Sequence, residues 1–235
     1  MKLGIVISTY YRKDGSTFNH LKKALDSVFS QTHQDFKIFL IGDRYEKIQE
    51  IDELLNNYDK NKIYFENLPL ALERDIYLNK RILWSYGGTN ATNHGVNKAL
   101  NENFEYVCHL DHDDYWENNH LEEINKCIET FQPDWVCTKS YYGNISNFLP
   151  KIESDKKYID FLPLPEGLIH SSVCMNFKTI PLKYIDVFKE TGVVGAPGDA
   201  DLWRRSREYI VANNLKSVLI NKITCYHLEE GYERN

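Results

Sequence analysis

Two hydrophobic periods alternate between Leu3 and Ser140, and this alternation limits the possible folds more than any single motif. Leu3 to Ser8 is a short β-rich apolar run. After a polar loop, Phe18, Leu21, Leu25, Val28 and Phe29 recur at helical spacing. Lys37 to Ile41 reads as a second buried strand, Ile51 to Leu55 lies in a helical segment, and Ile63-Tyr64-Phe65 is a short third strand. Tyr86-Gly87-Gly88-Thr89-Asn90 is a turn whose Thr89 or Asn90 can cap a helix running to about Leu100. Tyr106 to Leu110 follows as a fourth strand, Leu121, Ile124, Cys127 and Ile128 as a helix, and Trp135 to Ser140 as another strand. The pattern predicts βαβ units: a doubly wound, Rossmann-like α/β fold with a mostly parallel sheet flanked by helices.

From Tyr141 to about His170 the text changes. Gly, Asn, Ser and Pro interleave with single apolar residues, as in a loop-rich region or a small mixed sheet. Leu182 to Glu190 and Asp199 to about Asn213 read as helices, and Ser217 to Ile223 as a closing strand. There is no internal repeat. With 235 residues and 42% hydrophobic content, the chain can close one sizeable core but is short for two enzyme domains, so one domain over 1–235 is expected.

Charge and cysteine usage exclude several classes. The 34 acids against 28 bases give a net charge of -6, which argues against a broad footprint on nucleic acid. No window approaches the roughly 20 apolar residues of a membrane span, and the run after Met1 is shorter than a secretory core and reads as a strand. Cys108, Cys127, Cys137, Cys174 and Cys225 are scattered without a Cys-x-x-Cys pair. Neither structural zinc nor a disulfide framework is expected, and a cytoplasmic location fits.

Asp111-His112-Asp113-Asp114 follows the fourth strand directly. In open α/β sheets ligands bind beyond the carboxyl ends of the strands, where connections diverge. With the chain still extended, Asp111 and Asp113 point to one side and His112 to the other. Two hard oxygen ligands on one side suit Mg²⁺ or Mn²⁺, which take one or two carboxylates together with phosphate oxygens and water. The plainer alternative is a solvated loop whose aspartates cap the next helix; mutual repulsion of three carboxylates beside a core strand weighs against it. A second cluster, Gly198-Asp199-Ala200-Asp201-Leu202-Trp203-Arg204-Arg205, places Asp199 at a helix start, either as an N-cap or as an ionised proton acceptor. Trp203 reads as core packing, and Arg204 and Arg205 as a solvated helix face, with a phosphate contact by either arginine as the alternative.

These segments together resemble family 2 glycosyltransferases of the GT-A fold, the inverting bacterial type. Ser8-Thr9-Tyr10-Tyr11-Arg12 and Ala24 to Phe36 resemble the family's opening. Gly87 to Gly95 resembles its G…ARN.G segment, Leu110 to Asp114 its LDSDD, and Gly198 to Arg205 its EDxDLxxR. The matches occur in family order over almost the whole chain.

The resemblance implies that Thr9, Tyr10 and Arg12 line a nucleotide pocket with Tyr10 beside the base, that Asp43 bonds the nucleobase, and that Asn93 belongs to the same donor-binding set. It implies that Asp111 reaches ribose or metal, that Asp113 coordinates the metal, that Asp114 is supportive, and that Asp199 is the catalytic base. His227, after the last strand, resembles a C-terminal histidine that some GT-A enzymes use near the metal; a structural role is its equal rival. Residues 1–115 would form the nucleotide-sugar-binding half and 116–235 the acceptor-binding half. Three positions depart from the family pattern: Thr92 stands for the arginine of ARN, Gly198 for the acid before the base, and Tyr11 for the asparagine of TYNR. The first removes one expected phosphate or base contact.

The expectation is therefore an Mn²⁺- or Mg²⁺-dependent inverting glycosyltransferase. It would move a sugar from a nucleotide-diphosphate sugar, a UDP-sugar by family analogy, to a hydroxyl on a saccharide or lipid-linked saccharide. The family-level setting is surface polysaccharide or glycolipid synthesis, in the cytoplasm or at the inner face of the membrane. Two rivals stand: a sugar nucleotidyltransferase, which needs a Gly-rich basic loop after the first strand where Ser8 to Phe18 has only Gly15, and a non-catalytic nucleotide-sugar-binding module.

Overall fold

The computed structural model describes residues 1–227, except the side chains of 144–146; the last eight residues of the expected acceptor-side half lie outside it. Strands β1 (Leu3–Thr9), β2 (Phe36–Gly42), β3 (Ile63–Asn67) and β4 (Tyr106–His109) pair in parallel in the order β3-β2-β1-β4. Helix α1 (Ser16–Phe29) joins β1 to β2, and α2 (Ile48–Leu55) precedes β3. The path from β3 to β4 runs through α3 (Leu72–Ile76), α4 (Lys80–Tyr86) and α5 (Thr89–Asn101). The chain thus reverses direction across the sheet between β1 and β4. That is where an open α/β sheet leaves a crevice.

The alternation in β1 explains why the sheet is covered on both faces. Leu3, Ile5 and Ile7 pack with Leu21, Leu25 and Val28 of α1, whereas Val6 packs with Val96 and Ala99 of α5. Gly95 permits the second contact: a Cβ there would lie 2.7 Å from Val6 Cγ1. Helix α6 (His120–Phe131) joins the α1 face, and Leu202, Trp203 and Ile210 of α8 (Gly198–Ala212) join the α5 face.

Beyond β4 the sheet departs from a doubly wound order. Strand β9 (Val173–Asn176) inserts antiparallel between β4 and β6 (Trp135–Tyr142), which then pairs in parallel with β10 (Ser217–His227). Strand β5 (Tyr115–Trp116) pairs antiparallel with β10, and β7 (Asn144–Leu149) and β8 (Tyr158–Asp160) add short antiparallel pairings to β6 and β10, the small mixed region expected after Tyr141.

Three local expectations are corrected. The helix expected over Leu182 to Glu190 is confined to α7 (Val187–Thr191), because the side-chain amide of Asn93 binds both backbone groups of Tyr184 at 2.9 and 3.0 Å in place of a helical ladder. The cap of α5 is Gly88, in the left-handed region at φ 87°, rather than Thr89 or Asn90; Glu73 Oε1 instead accepts from the Asn90 N–H at 2.9 Å. Strand β10 runs four residues past Ile223, which carries His227 to the edge where the acidic cluster sits.

Candidate active site

The carboxyl ends of β1, β2, β4 and β10 and the start of α8 converge on one rim. Tyr10, just past β1, is enclosed by three side chains. The Arg74 guanidinium carbon lies 3.3 Å from its ring centroid, Arg12 Nε donates to its hydroxyl at 2.9 Å, and His112 meets its ring edge-on at 5.2 Å. His112 therefore packs against Tyr10 within the site rather than pointing away from it. Asp43, past β2 and 2% exposed, accepts from Arg74 Nε at 2.8 Å, while its Oδ1 is buried without a partner. Burial pushes the Asp43 carboxyl up, and Arg74 opposes the shift. Thr9 is buried with an unpartnered hydroxyl, and its carbonyl accepts from the Asp43 N–H at 2.7 Å. The Asn93 amide is committed to the backbone of Tyr184.

The acidic tetrapeptide is a turn, not an extended continuation of β4: the Asp114 N–H donates to the Asp111 carbonyl at 3.0 Å. The repulsion expected among its carboxylates is relieved within the protein, because each has its own partner. Asp111 Oδ1 lies 2.8 Å from His170 Nδ1, Asp113 Oδ2 accepts from Arg12 Nη2 at 3.0 Å, and Asp114 Oδ1 lies 3.0 Å from His227 Nδ1. Ser171 ties the turn together, accepting from the Asp111 N–H at 2.9 Å and donating to Asp114 Oδ2 at 2.5 Å.

The electrostatics follow from these pairings. Burial opposes ionisation of Asp111, but His170 outweighs it and holds the carboxyl below its usual range. Asp114 is fully buried, and burial raises it to about 6 against the pull of His227. Burial likewise disfavours the His227 imidazolium, yet Asp114 and its acidic neighbours raise it to about 9.

Asp199 stands in the first turn of α8 after Pro197, so it is not the cap; its Oδ1 accepts from the adjacent Ala200 N–H at 2.8 Å. Burial raises its carboxyl, with His170 opposing. His170 thus faces both Asp111 and Asp199. Its Nε2 lies 2.6 Å from the Tyr184 hydroxyl, and its ring stacks on buried His109 at 4.7 Å. Trp203 is fully buried, and Arg204 and Arg205 clamp Asp201 at 2.8 and 2.6 Å.

The donor chemistry suits a hard divalent cation. Asp111 and Asp113 each keep one carboxylate oxygen outside any hydrogen bond among the described residues. No group of three or more His, Cys, Asp or Glu among those residues forms an all-protein cage. Two carboxylates leave the remaining positions to phosphate oxygens and water, the usual arrangement for Mg²⁺.

The mostly parallel α/β sheet with its short mixed extension has the GT-A fold, as comparison with known structures shows. The fold matches S. aureus TarS in complex with UDP-GlcNAc (TM-score 0.70, 15% identity, 99% of this chain and 60% of that one). It also matches a mannosyltransferase of Pyrobaculum calidifontis in complex with GDP-Man and Mn²⁺ (TM-score 0.61, 10% identity, 99% and 58%). No family model matches the chain. An uncharacterized glycosyltransferase of Acanthamoeba polyphaga mimivirus is 37% identical over all of this chain and 97% of its own length. The chain belongs to the glycosyltransferases. A relative from Rickettsia bellii is 26% identical over 92% of the chain, which spans only 29% of that protein.

His170, Arg74, Ser171 and Tyr184 are the site residues that sequence reading missed. No local pattern marks them; His170 reaches Asp111 across 59 positions.

Proposed function

We propose that the chain is an inverting, family 2 type transferase that moves a sugar from a nucleotide-diphosphate sugar to a hydroxyl of a saccharide or lipid-linked saccharide. The observation that carries this reading is the line from Asp111 through His170 to Asp199, which brings the end of β4 and the start of α8 to one site. Tyr10, Thr9 and Asp43 form the base-side wall, with Arg12 joining Tyr10 to Asp113. Residues 1–115 serve the donor and 116–235 the acceptor.

Asp111 and Asp113 are the residues to hold Mn²⁺ or Mg²⁺, whose charge would offset that of the leaving diphosphate. His227 is the candidate third ligand through Nε2, once the proton favoured by Asp114 is lost. Asp199 takes the proton from the acceptor hydroxyl as that oxygen bonds to the anomeric carbon. The bond to the diphosphate oxygen breaks in line, and the diphosphate leaves with the electron pair. Burial raises the Asp199 carboxyl, which favours proton acceptance, and general-base catalysis by a positioned side chain typically contributes ~10²–10⁴-fold. Its immediate neighbour Gly198 stands where the family carries an acid, and this departure leaves the base carboxylate of Asp199 in place. A UDP-sugar donor and a role in surface polysaccharide or glycolipid synthesis follow from the resemblance; the solved relative with UDP-GlcNAc supports that donor class.

A thermal-shift screen of UDP-, GDP-, dTDP- and CMP-sugars, with and without Mn²⁺, tests the donor assignment. One nucleoside-diphosphate sugar should raise the melting temperature, and more so with Mn²⁺; saturation near a hundredfold over Kd corresponds to ~2.7 kcal/mol. A flat response to every donor would overturn it.

A further inference from the structure

Helix α3, the first turns of α5 and the stretch from Tyr184 into α7 enclose a cavity of about 450 Å³. That volume falls within the roughly 300–1,000 Å³ of small-molecule sites. Two lining residues tie it to the start of α8 and to the candidate site. A Cβ on Gly198, the neighbour of Asp199, would lie 3.5 Å from the Thr89 hydroxyl, and the Tyr184 hydroxyl lies 2.6 Å from His170 Nε2. The walls are braced against each other. The Tyr77 hydroxyl donates to Asp186 Oδ2 at 2.6 Å, Asp186 Oδ1 accepts from the Lys189 N–H at 2.9 Å, and Asn93 holds both backbone groups of Tyr184.

The lining combines an apolar patch with polar groups that have bonding capacity to spare. Leu72, Ile76 and Ile185 supply the patch. The Thr89 hydroxyl and the Asn90 side-chain amide make no hydrogen bond among the described residues. Glu73 is 5% exposed; its Oε1 accepts from the Asn90 N–H at 2.9 Å, but its Oε2 is buried without a partner. A buried carboxyl oxygen left unpaired costs free energy until a donor reaches it. Three carboxyl groups, those of Glu73, Asp186 and Glu190, stand in the lining against the single ammonium of Lys189. Such a set repels phosphate and carboxylate ligands and accepts protons from hydroxyl and ammonium groups.

We propose that this cavity is a pyranose subsite that holds an uncharged or amino-bearing sugar of the acceptor beside Asp199. A pyranose offers C–H faces to the apolar patch, and a rim of hydroxyls, each both donor and acceptor, to Asn90 and the acids. The sugar of the donor is a poorer occupant, because it stays bonded to a diphosphate and neither Tyr10, Asp43, Asp111 nor Asp113 lines the cavity. The assignment to the acceptor rests on the transferase reading, whereas sugar binding in the cavity does not. Helices α3 and α5 of the donor-side half then help to select the acceptor, and their acids exclude uronates and sugar phosphates.

The test is saturation-transfer NMR of the full chain with methyl glucoside, galactoside, mannoside, glucosaminide and glucuronide, without nucleotide or metal. At least one neutral or amino glycoside should bind, and the glucuronide should not. Glu73→Gln/Asn90→Ala keeps an acceptor for the backbone N–H of residue 90 and should weaken that binding about tenfold. Glu190→Lys, at an exposed position, should weaken the glucosaminide and admit the glucuronide, and it decides the matter if the double variant does not fold. Nucleotide-sugar binding, read by thermal shift, should be the same in both variants as in the parent. Absence of glycoside binding, or binding that neither variant alters, overturns the subsite. Glycoside binding by a parent chain that binds no nucleotide sugar upholds the subsite but overturns the transferase reading and the acceptor assignment with it. Equal loss of glycoside and nucleotide-sugar binding in the double variant gives the cavity to the donor and contradicts the proposal.

Discussion

His170 Nδ1 lies 2.8 Å from Asp111 Oδ1, joining the turn after β4 to the short turn that precedes β9. Asp111 favours the ring in its charged form, and the same ring interacts electrostatically with Asp199. Burial disfavours the His170 imidazolium, but Asp111 outweighs it. The contact orders a carboxylate that would otherwise face two acidic neighbours.

Replacing His170 with Ala should therefore cost activity more than fold. A hydrogen bond to a charged group is worth about 1.5–3 kcal/mol, so kcat/KM should fall roughly 10–100-fold. His170→Gln, which keeps a donor, should recover part of the loss. Steady-state kinetics of both variants, read beside their melting temperatures, check this.

Arg74 and Asp43 form a second buried pair, with the Asp43 side chain 1% exposed. Removing one partner strands a charge, whereas removing both does not. Arg74→Ala should destabilise the fold by about 3–5 kcal/mol, and Asp43→Asn/Arg74→Ala by clearly less than the sum of the single changes. Urea titrations of the complete double-mutant cycle measure the coupling.

Gly95→Ala should destabilise the fold by about 1–3 kcal/mol, because the new methyl would meet Val6 where α5 crosses β1. The better helix propensity of alanine offsets only part of that. Combining it with Val6→Ala should cost less than the two changes added. Equilibrium unfolding of the three variants provides the comparison.

His120 gives the fold a defined acid limit. It is fully buried, stacks on Trp116 at 4.2 Å and lies 2.7 Å from Thr224 Oγ1. Burial lowers it from 6.5 to about 3. The unfolded chain therefore binds a proton that the folded one refuses between those values. Stability is intact above 6.5 and declines as pH falls toward 3, by up to about 1.4 kcal/mol per pH unit from this group. His120→Gln should flatten that decline in denaturant midpoints measured from pH 7 to pH 4.

Much of the donor-side half is legible in the amino-acid sequence. Strands β1, β2 and β4 are apolar runs buried on both faces, and β1 and β2 are followed by helices with clear 3.6-residue spacing, so pattern alone locates the crevice between β1 and β4. The acidic turn, Tyr10 and Asp43 follow those strand ends directly and stand out for that reason. Strand β9 is hidden because Val173-Cys174-Met175-Asn176 is too short for its period to show. Helices α3 and α4 are one or two turns long, and their apolar residues face solvent as often as the core. His170 and Arg74 acquire meaning only by crossing 59 and 31 positions to a carboxylate, which no local period encodes. The Asn93 contacts to Tyr184 show the same limit, since a side chain there replaces the expected helical backbone bonds.

The central claim is that Asp199 acts as the base while the other carboxylates serve the donor. It is tested by Asp199→Asn, assayed for Mn²⁺-dependent donor binding by calorimetry and for sugar transfer with the donor found by thermal shift. Donor affinity should stay within about threefold of the parent while transfer falls ~10²–10⁴-fold. Transfer at the parent rate would remove Asp199 from the chemistry and contradict the assignment.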